Sequence, residues 1–507
     1  MKIKGLGAPV WGALIALLAL GWGIRLFDLT DPPFDFHTTR QLRGAVIARG
    51  MYYEMLPQAD PGRRELAQAF WDSVVAYEPA VLERLSAWTY LAAGQELPWI
   101  ARVYNSLAWV LGALVLFALA RRTARTDLPG WTALGAALFA AGYMLLQPFG
   151  VQASRAFLPD PLMVVLTVVA VYALVLWAEH KTLRYAVLVG GLAAIALLVK
   201  VTAVFVLLPA FGLLALQEYG MRQVWRRGQV WLMLLLMLLP AGVFYLGLRQ
   251  NTASEYYENT TLALLGLLVR PQFYLSILNF FDSLFGFAVL VASFAGLLLA
   301  APRLRAILLG VWLGYLPYAV MWPYQMYTHS YYHLRLVPFL ALSLAPVAQV
   351  LLAQVKTNVR WWKAGLAGLA LLLVLYPLWQ SYATLSRFDY REQPAYWAEI
   401  GAALPQDGSI LALTQDYGFP LMYYGWRKTI LWPTSSDQNL SALRGHSKAF
   451  SEFFDKRRAG RAYFLVTDDE DFAEQPDLQA ELYNRFPLLV ESENFLLFDL
   501  QNPVDAP

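Results

Sequence analysis

Long apolar blocks alternate with short polar connections from residue 9 to about residue 379, and the blocks run to roughly 16 to 22 positions each. A helix needs about 20 residues to cross a hydrocarbon core about 30 Å thick, so the pattern predicts a polytopic α-helical membrane protein. About eleven spans follow, at 9–27, 99–120, 131–149, 162–177, 185–198, 203–216, 231–246, 284–301, 307–322, 336–352 and 364–379. The fifth and sixth are short enough to be read as one broken unit. The first block follows Lys2 and Lys4 but is longer than a signal-peptide core, continues through Trp22 and Arg25 into Asp28 and Asp31, and has no clear small-x-small cleavage site. It is therefore read as a retained signal anchor. Two connections, 28–98 and 249–281, are too long for hairpins. In the first, 38–55 and 81–90 mix apolar and polar residues and are expected to form helices lying in the membrane interface, roofing the outer ends of the spans.

After Trp379 the pattern changes. Apolar runs at 410–413, 429–432, 463–466 and 495–498 read as buried strands, and helical stretches at 393–404, 441–458 and 476–486 alternate with them. Such alternation predicts a small C-terminal α/β domain. The expected division is 1–383 for the transmembrane module, including its first outer loop 28–98, and 384–507 for the soluble domain. That domain has no G-x-G-x-x-G turn and no phosphate loop, so no nucleotide is assigned to it. The run Asp468-Asp469-Glu470-Asp471 is read as a solvated turn after a strand rather than a metal site.

Composition agrees with the pattern. The chain is 58% hydrophobic and 15% charged, where an average soluble protein carries about a quarter of charged residues, which excludes a large soluble enzyme. A net charge of +3 over 507 residues is small, and the basic residues sit in short clusters, so nucleic acid is not expected as a partner. With no cysteine, disulfides, thiolate metal sites and thiol catalysis are excluded. What charge does set is orientation, because Lys and Arg in short loops are retained in the cytoplasm. Lys2/Lys4, Arg121/Arg122/Arg125, Lys181/Arg184, Arg222/Arg226/Arg227, Arg303/Arg305 and Lys356/Arg360/Lys363 occupy every second connection. The N-terminus is then cytoplasmic, and the loop 28–98 and the C-terminal domain are extracytoplasmic, on a cell (inner or plasma) membrane.

Ionisable residues at the outer ends of spans are the informative positions, since charge near hydrocarbon is costly and is usually kept for a task. Four clusters qualify. Phe34-Asp35-Phe36-His37-Thr38-Thr39-Arg40 places a carboxylate between aromatic residues, with His37 and Arg40 close by. Arg155 and Asp160 flank a short turn in Arg155-Ala-Phe-Leu-Pro-Asp160-Pro161, either as a loop clamp or as part of a site. Lys200 lies between two short apolar segments, either as an interfacial anchor or as a cation for an anionic headgroup. The run from Tyr324 to Arg335 suits an aromatic belt, but a belt does not explain His329, His333 and Arg335, which with Lys200 and Tyr332 would make a cationic pocket for a phosphate. His329 and His333 also have i, i+4 metal-ligand spacing, with Asp35, Glu78 or Asp160 as partners. That reading ranks below phosphate, so no cofactor is expected to be required and a divalent metal has no further support. A carboxylate base beside cations at a lipid surface suits group transfer from a phosphate-bearing lipid to a hydroxyl.

The order of these features resembles the GT-C superfamily of membrane glycosyltransferases, specifically bacterial members of the glycosyltransferase family 39 and RgtA/B/C/D-like kind. These are similar in plan to protein O-mannosyltransferases and the lipid A aminoarabinose transferase. The resemblance covers about residues 9 to 380 and rests on Phe34-Asp35-Phe36-His37, on Tyr77-Glu78-Pro79 followed by Leu82 and Leu85, and on Arg102. It continues through Ser154-Arg155 to Asp160-Pro161, through Leu197-Leu198-Val199-Lys200, and through Tyr331-Tyr332-His333-Leu334-Arg335 to Pro338. It implies a polyprenyl-phosphate sugar donor, transfer on the outer face and inversion at the anomeric carbon, with a lipid, glycan or protein as acceptor. By the same resemblance Asp35 is the base, Lys200 and Arg335 hold the donor phosphate with help from His329 and His333, Asp160 and Arg155 shape the site, and Glu78 lines the acceptor side. Phe36 stands where the family commonly has a second carboxylate, so Glu78 or Asp160 is the alternative base.

Two other readings compete. A transporter or flippase of lipid-linked saccharides would also need many spans, but transporters place polar groups near the bilayer midplane and often show repeated halves, and the middles of these spans are almost free of charge. A non-catalytic envelope-assembly subunit would need no base.

Overall fold

The computed structural model describes residues 7–75, 77–248, 250–356, 359–446 and 449–504. Lys2 and Lys4 of the first basic cluster lie outside the described residues, as does Arg249. The chain separates into two compact units. The first comprises 1–30, 76–82 and 100–388, and the second 31–75, 83–99 and 389–507. Most of the first outer loop thus clusters with the C-terminal sequence.

The first unit is helical. Among the described residues eight helices are long and apolar enough to cross a membrane: Ala8–Leu26, Ile100–Arg122, Asp160–His180, Val201–Tyr219, Gly228–Leu248, Pro302–Met321, Leu336–Ala353 and Arg360–Leu385. Two bent pairs, Gly130–Leu146 with Pro148–Arg155 (58°) and Tyr257–Val269 with Pro271–Phe285 (104°), raise the number to ten. Leu183–Val199 and Phe287–Leu299 are shorter apolar helices. Every span expected from the sequence has a helix in this set. The connection 249–281 differs from expectation, because much of it is the apolar, sharply bent second pair. Its bend falls at Arg270 and Pro271, where proline both lacks a donor and disfavours helix in the residue before it.

Close helix contact depends on small residues, as it does where lipid offers helices no hydrophobic drive to associate. In the stretch Gly310-Val-Trp-Leu-Gly314 a Cβ at Gly314 would stand 1.6 Å from the Phe205 carbonyl oxygen, and one at Gly310 would stand 2.5 Å from the Ala210 backbone. The helix Pro302–Met321 therefore lies directly on Val204–Tyr219. This approach carries Tyr318, near the end of one helix, to Thr202, at the start of the other.

The second unit is built on a mixed five-stranded sheet: β1 (Ile410–Leu413), β2 (Ile430–Leu431), β3 (Tyr463–Val466), β4 (Leu488–Glu491) and β5 (Leu496–Asp499), in the order β2-β1-β3-β5-β4. β1 is parallel to β2 and β3, while β5 is antiparallel to β3 and β4. The inner strands are buried on both faces, which is why they read as unbroken apolar runs. Leu411, Leu413, Phe464, Val466 and Phe498 enter one core, and Ile410, Ala412, Leu465 and Leu497 the other. β4 was not expected. It is an edge strand with half its residues exposed, so it lacks the continuous apolar signal. The stretch 441–458 is two helices, Ser435–Leu443 and Phe450–Arg458, the first opened by a Thr434/Asp437 capping box. Asp468 caps the short helix Asp469–Ala473 by accepting from the Asp471 N–H.

The first loop contributes Thr38–Glu54, Pro61–Asp72 and Val81–Ala93. Thr38–Glu54 is buried over most of its circumference, including Gln41, Leu42, Ala45, Val46 and Ile47, and it is not the interface-lying helix expected. Its mixture of apolar and polar residues reads as an amphipath, whereas protein covers it. Val81–Ala93 does expose an apolar stripe of Val81, Leu85, Trp88 and Leu91, the arrangement of a helix resting on lipid.

Candidate functional site

In the first unit, the site is organised by a break in helical structure at Lys200. The helix Leu183–Val199 ends there because Lys200 is extended (φ −159°, ψ 117°), and a short turn, Val201–Ala203, restarts the next helix. The Lys200 ammonium donates to both oxygens of Asp160 at 2.8 and 2.7 Å. Asp160 opens the helix Asp160–His180, where the aligned peptide dipoles favour negative charge. Both residues are buried. The ammonium also lies 5.1 and 5.4 Å from the ring centroids of Tyr331 and Tyr332.

Arg335 caps the start of Leu336–Ala353 and is 2% exposed. Its Nη1 donates to the Thr202 carbonyl and its Nη2 to the Thr202 hydroxyl, each at 2.6 Å, while Nη2 also reaches the Tyr318 hydroxyl at 3.1 Å. The guanidinium carbon stands 3.9 Å from the Tyr318 ring centroid, and Tyr318 stacks on Tyr332. No carboxylate pairs with this guanidinium among the described residues, and its Nε has no partner. The indole N–H of Trp322, whose ring packs on Tyr318 and Tyr332, is likewise buried and without a partner.

His333 behaves otherwise than expected. Its Nε2 faces the Met326 carbonyl at 2.8 Å and its Nδ1 faces the Tyr315 hydroxyl at 2.5 Å, so both nitrogens are engaged. Burial, reinforced by the nearby Arg335 charge, pushes its pKa down to about 4. A neutral imidazole held this way adds no charge for a phosphate, and its one lone pair, on Nδ1, is taken by the Tyr315 hydroxyl rather than left for a metal, so it serves as a packed support. His329 is half-buried and bonded to the Thr328 hydroxyl at 2.7 Å. Among the described residues no group of three or more His, Asp or Glu side chains gathers to hold a metal. The charge count follows: Lys200 and Arg335 contribute two positive charges and Asp160 one negative, leaving one positive charge in a buried aromatic setting.

Arg155 and Glu78 lie at the margins. Arg155 does not clamp Asp160, whose oxygens face Lys200. It donates instead to the carbonyls of Phe27 (2.5 Å) and Asp28 (2.9 Å), closing the end of Ala8–Leu26. Arg25 ties the same region from within, through Ser154 (2.7 Å) and the carbonyls of Gly21 and Leu145. Glu78 is half-buried and within electrostatic reach of Tyr245, whose hydroxyl donates at 3.0 Å to Leu198, two residues before Lys200.

Asp35, His37 and Arg40 belong to the second unit. Asp35 is half-buried and accepts from Gln41 Nε2 at 3.1 Å, and Gln41, fully buried, also donates to Phe36 O at 2.8 Å. His37 is left-handed (φ 47°, ψ 61°), a conformation that costs a non-glycine residue energy and needs surroundings that enforce it. Burial, and then the Arg40 charge, push its pKa down to about 4, so His37 is neutral and not part of a cationic pocket. Sequence reasoning missed Thr202, Tyr318 and Trp322. Thr202 is a lone hydroxyl at the start of an apolar block and gives no signal there, and the other two sit near a span's end, where aromatic residues ordinarily read as a belt.

Residues 84–245 match the family model described as dolichyl-phosphate-mannose-protein mannosyltransferase. The matched stretch contains Arg155, Asp160 and Lys200, with Asp35 and Arg335 outside it. No curated protein matches the sequence. Among solved structures, the chain is similar to ArnT from Cupriavidus metallidurans in the apo state, with a TM-score of 0.56 and 17% identity over 97% of this chain and 98% of that one. It is similar to the same protein bound to undecaprenyl phosphate, with a TM-score of 0.53 and 17% identity over the same shares. The Archaeoglobus fulgidus oligosaccharyltransferase in complex with Zn and sulfate gives a TM-score of 0.54 and 14% identity over 97% of this chain and 74% of that one. The chain thus has the GT-C fold that its sequence resembles, and it is a multi-pass membrane protein.

Proposed function

We propose that this protein is an integral membrane glycosyltransferase that moves a sugar from a polyprenyl-phosphate-linked donor to a hydroxyl acceptor on the outer face of the membrane. The observation that carries the reading is Arg335. A buried cation without a counter-charge costs several kcal/mol, so one that persists beside Lys200 and unpartnered Arg335 Nε and Trp322 Nε1 donors is suited to an anion that arrives with the substrate. The ArnT structure bound to undecaprenyl phosphate and the family description both concern lipid phosphates, which supports a polyprenyl phosphate as that anion.

The chemistry asked of the residues is compact. The acceptor oxygen attacks the anomeric carbon, its proton passes to a carboxylate, and the bond from that carbon to the phosphate oxygen breaks with inversion. Charge grows on the departing phosphate, where Arg335 and Lys200 stabilise it, while Asp160 keeps Lys200 aligned. Asp35 is assigned the base. Glu78 is placed on the acceptor side, and a hexose or pentose is the expected sugar.

Testing uses purified protein with a panel of undecaprenyl-phosphate-linked monosaccharides and membrane extract as acceptor source. Release of undecaprenyl phosphate, coupled to incorporation of the sugar, is expected for at least one donor, and Asp35→Asn is expected to lower it by about 100-fold or more. Absence of transfer from every donor, with the lipid-linked sugar instead moved intact across proteoliposomes, would favour the transporter reading.

A further inference from the structure

In open α/β sheets, ligands bind beyond the carboxyl ends of parallel strands at the point where strand order reverses. In this sheet the chain leaves β1 for β2 on one side and then crosses to β3 on the other, so the reversal lies between β1 and β3. Asp416 follows β1 there, and Asp468 follows β3, close enough for the two charges to interact. The occupant of this crevice comes from the chain itself. The Thr39 hydroxyl donates to Asp416 Oδ1 at 3.0 Å, and the Thr38 hydroxyl beside it donates to the Phe34 carbonyl at 3.2 Å.

Those donors belong to the first turn of the helix Thr38–Glu54, whose N-cap, His37, supplies no side-chain cap. Free N–H groups at a helix start need an acceptor, and a carboxylate is the favoured one. Asp416, 377 positions away, sets its negative charge against this helix start and holds it through the Thr39 hydroxyl. Its own turn is strained to do so: Asp416 (φ 49°) and Tyr417 (φ 55°) are both left-handed, and such non-glycine residues persist where packing holds them. Two further contacts fix the same segment. Phe34 lies between the rings of Tyr390 (5.7 Å) and Tyr424 (6.0 Å), and Asp31 accepts the Tyr390 backbone N–H at 3.0 Å. Toward the far end of the helix, the Arg49 guanidinium bonds Glu96 at 2.9 Å and the Tyr423 carbonyl, and lies on the rings of Tyr423 and Trp426.

We infer that the C-terminal α/β region is a positioning element for the acidic segment Phe34–Gln41, with Asp416 in the sheet crevice as the residue that sets its conformation. Asp416 never touches substrate; it fixes the start of Thr38–Glu54, and with it Gln41, which bonds Asp35. The catalytic consequence rests on Asp35 being the base, while the conformational claim stands without it.

The test is amide hydrogen exchange on the full-length protein in detergent, comparing wild type with Asp416→Asn, Thr39→Val and Thr39→Ser. Hydrogen bonds to a charged group are strong, so exchange of amides 38–42 is expected to quicken by about ten-fold or more in Asp416→Asn and Thr39→Val, to return toward wild type in Thr39→Ser, and to stay unchanged in β1 and β3. Unaltered exchange at 38–42 in both variants, or loss of protection throughout the sheet in both, overturns the inference. A turnover arm uses whichever undecaprenyl-phosphate-linked monosaccharide wild type consumes. There kcat should fall with KM for the donor unchanged, and adding Asp416→Asn to Asp35→Asn should cost nothing more. If Asp35→Asn turns over at the wild-type rate, the base assignment fails while exchange still decides the positioning claim. If Asp35→Asn is inactive but Asp416→Asn and Thr39→Val keep full kcat, the catalytic consequence fails, and exchange alone decides the conformational claim.

Discussion

At the scale of single residues, the difference between Arg335 and His333 is instructive. Both stood in one sequence cluster as cations, yet only one is a cation in the fold. His333 spends its two nitrogens on Tyr315 and Met326, and Arg335 keeps an unpartnered donor. A sequence lists residue types but not the partners that decide protonation. His37 makes the same point and yields a pH prediction. Its pKa is about 4 in the folded protein and about 6.5 when unfolded, so the folded state resists the proton that the unfolded state accepts. Stability from this group is complete above about pH 6.5 and is lost as pH falls toward 4. Replacing His37 by Asn, which tolerates the left-handed backbone, should therefore flatten the loss of thermal stability between about pH 6.5 and 4.5, measured by unfolding scans in detergent. An undiminished slope would show that His37 is not the group held neutral.

At the scale of elements, apolar blocks made the spans legible, because each block had to satisfy its backbone within a single helix. What stayed hidden were features that depend on a neighbour. The bent pair around Arg270 and Pro271 resembled a loop, the edge strand β4 lacked a buried face, and Thr38–Glu54 showed its burial only once the helix Pro61–Asp72 covered it, with Trp71 against Gly50. The glycine pair Gly310 and Gly314 sets the pocket by letting two backbones meet. Gly314→Leu would drive a side chain into the Phe205 carbonyl, and overpacking of this kind costs about 1–3 kcal/mol or more. The expected result is a lower unfolding temperature together with weaker binding of undecaprenyl phosphate, since Tyr318 and Thr202 would separate around Arg335. Normal binding by a destabilised Gly314→Leu protein would detach the pocket from this helix contact.

For the whole molecule, the resemblance to GT-C enzymes was readable from short motifs in order, and the fold agrees with it over 97% of the chain. The candidate site was only partly readable. Asp160 with Lys200 and the neighbourhood of Arg335 lie in clusters that the sequence singles out, whereas Arg155 closes a helix end and Asp416 gives no signal in a region whose acidic residues read as solvated turns. Orientation is open to direct measurement because the chain has no cysteine. Single cysteines at Ser441 and Arg226 should give labelling by an impermeant thiol reagent in intact cells at 441 only, and labelling at 226 alone would reverse the proposed topology. The central claim, that the buried charge of Arg335 is kept for a lipid phosphate, is tested most directly by titrating undecaprenyl phosphate into purified wild type and Arg335→Gln. Loss of a charge-assisted contact of about 1.5–3 kcal/mol predicts affinity weakened by roughly 10- to 150-fold in the variant, whereas equal affinity in the two proteins would contradict the account.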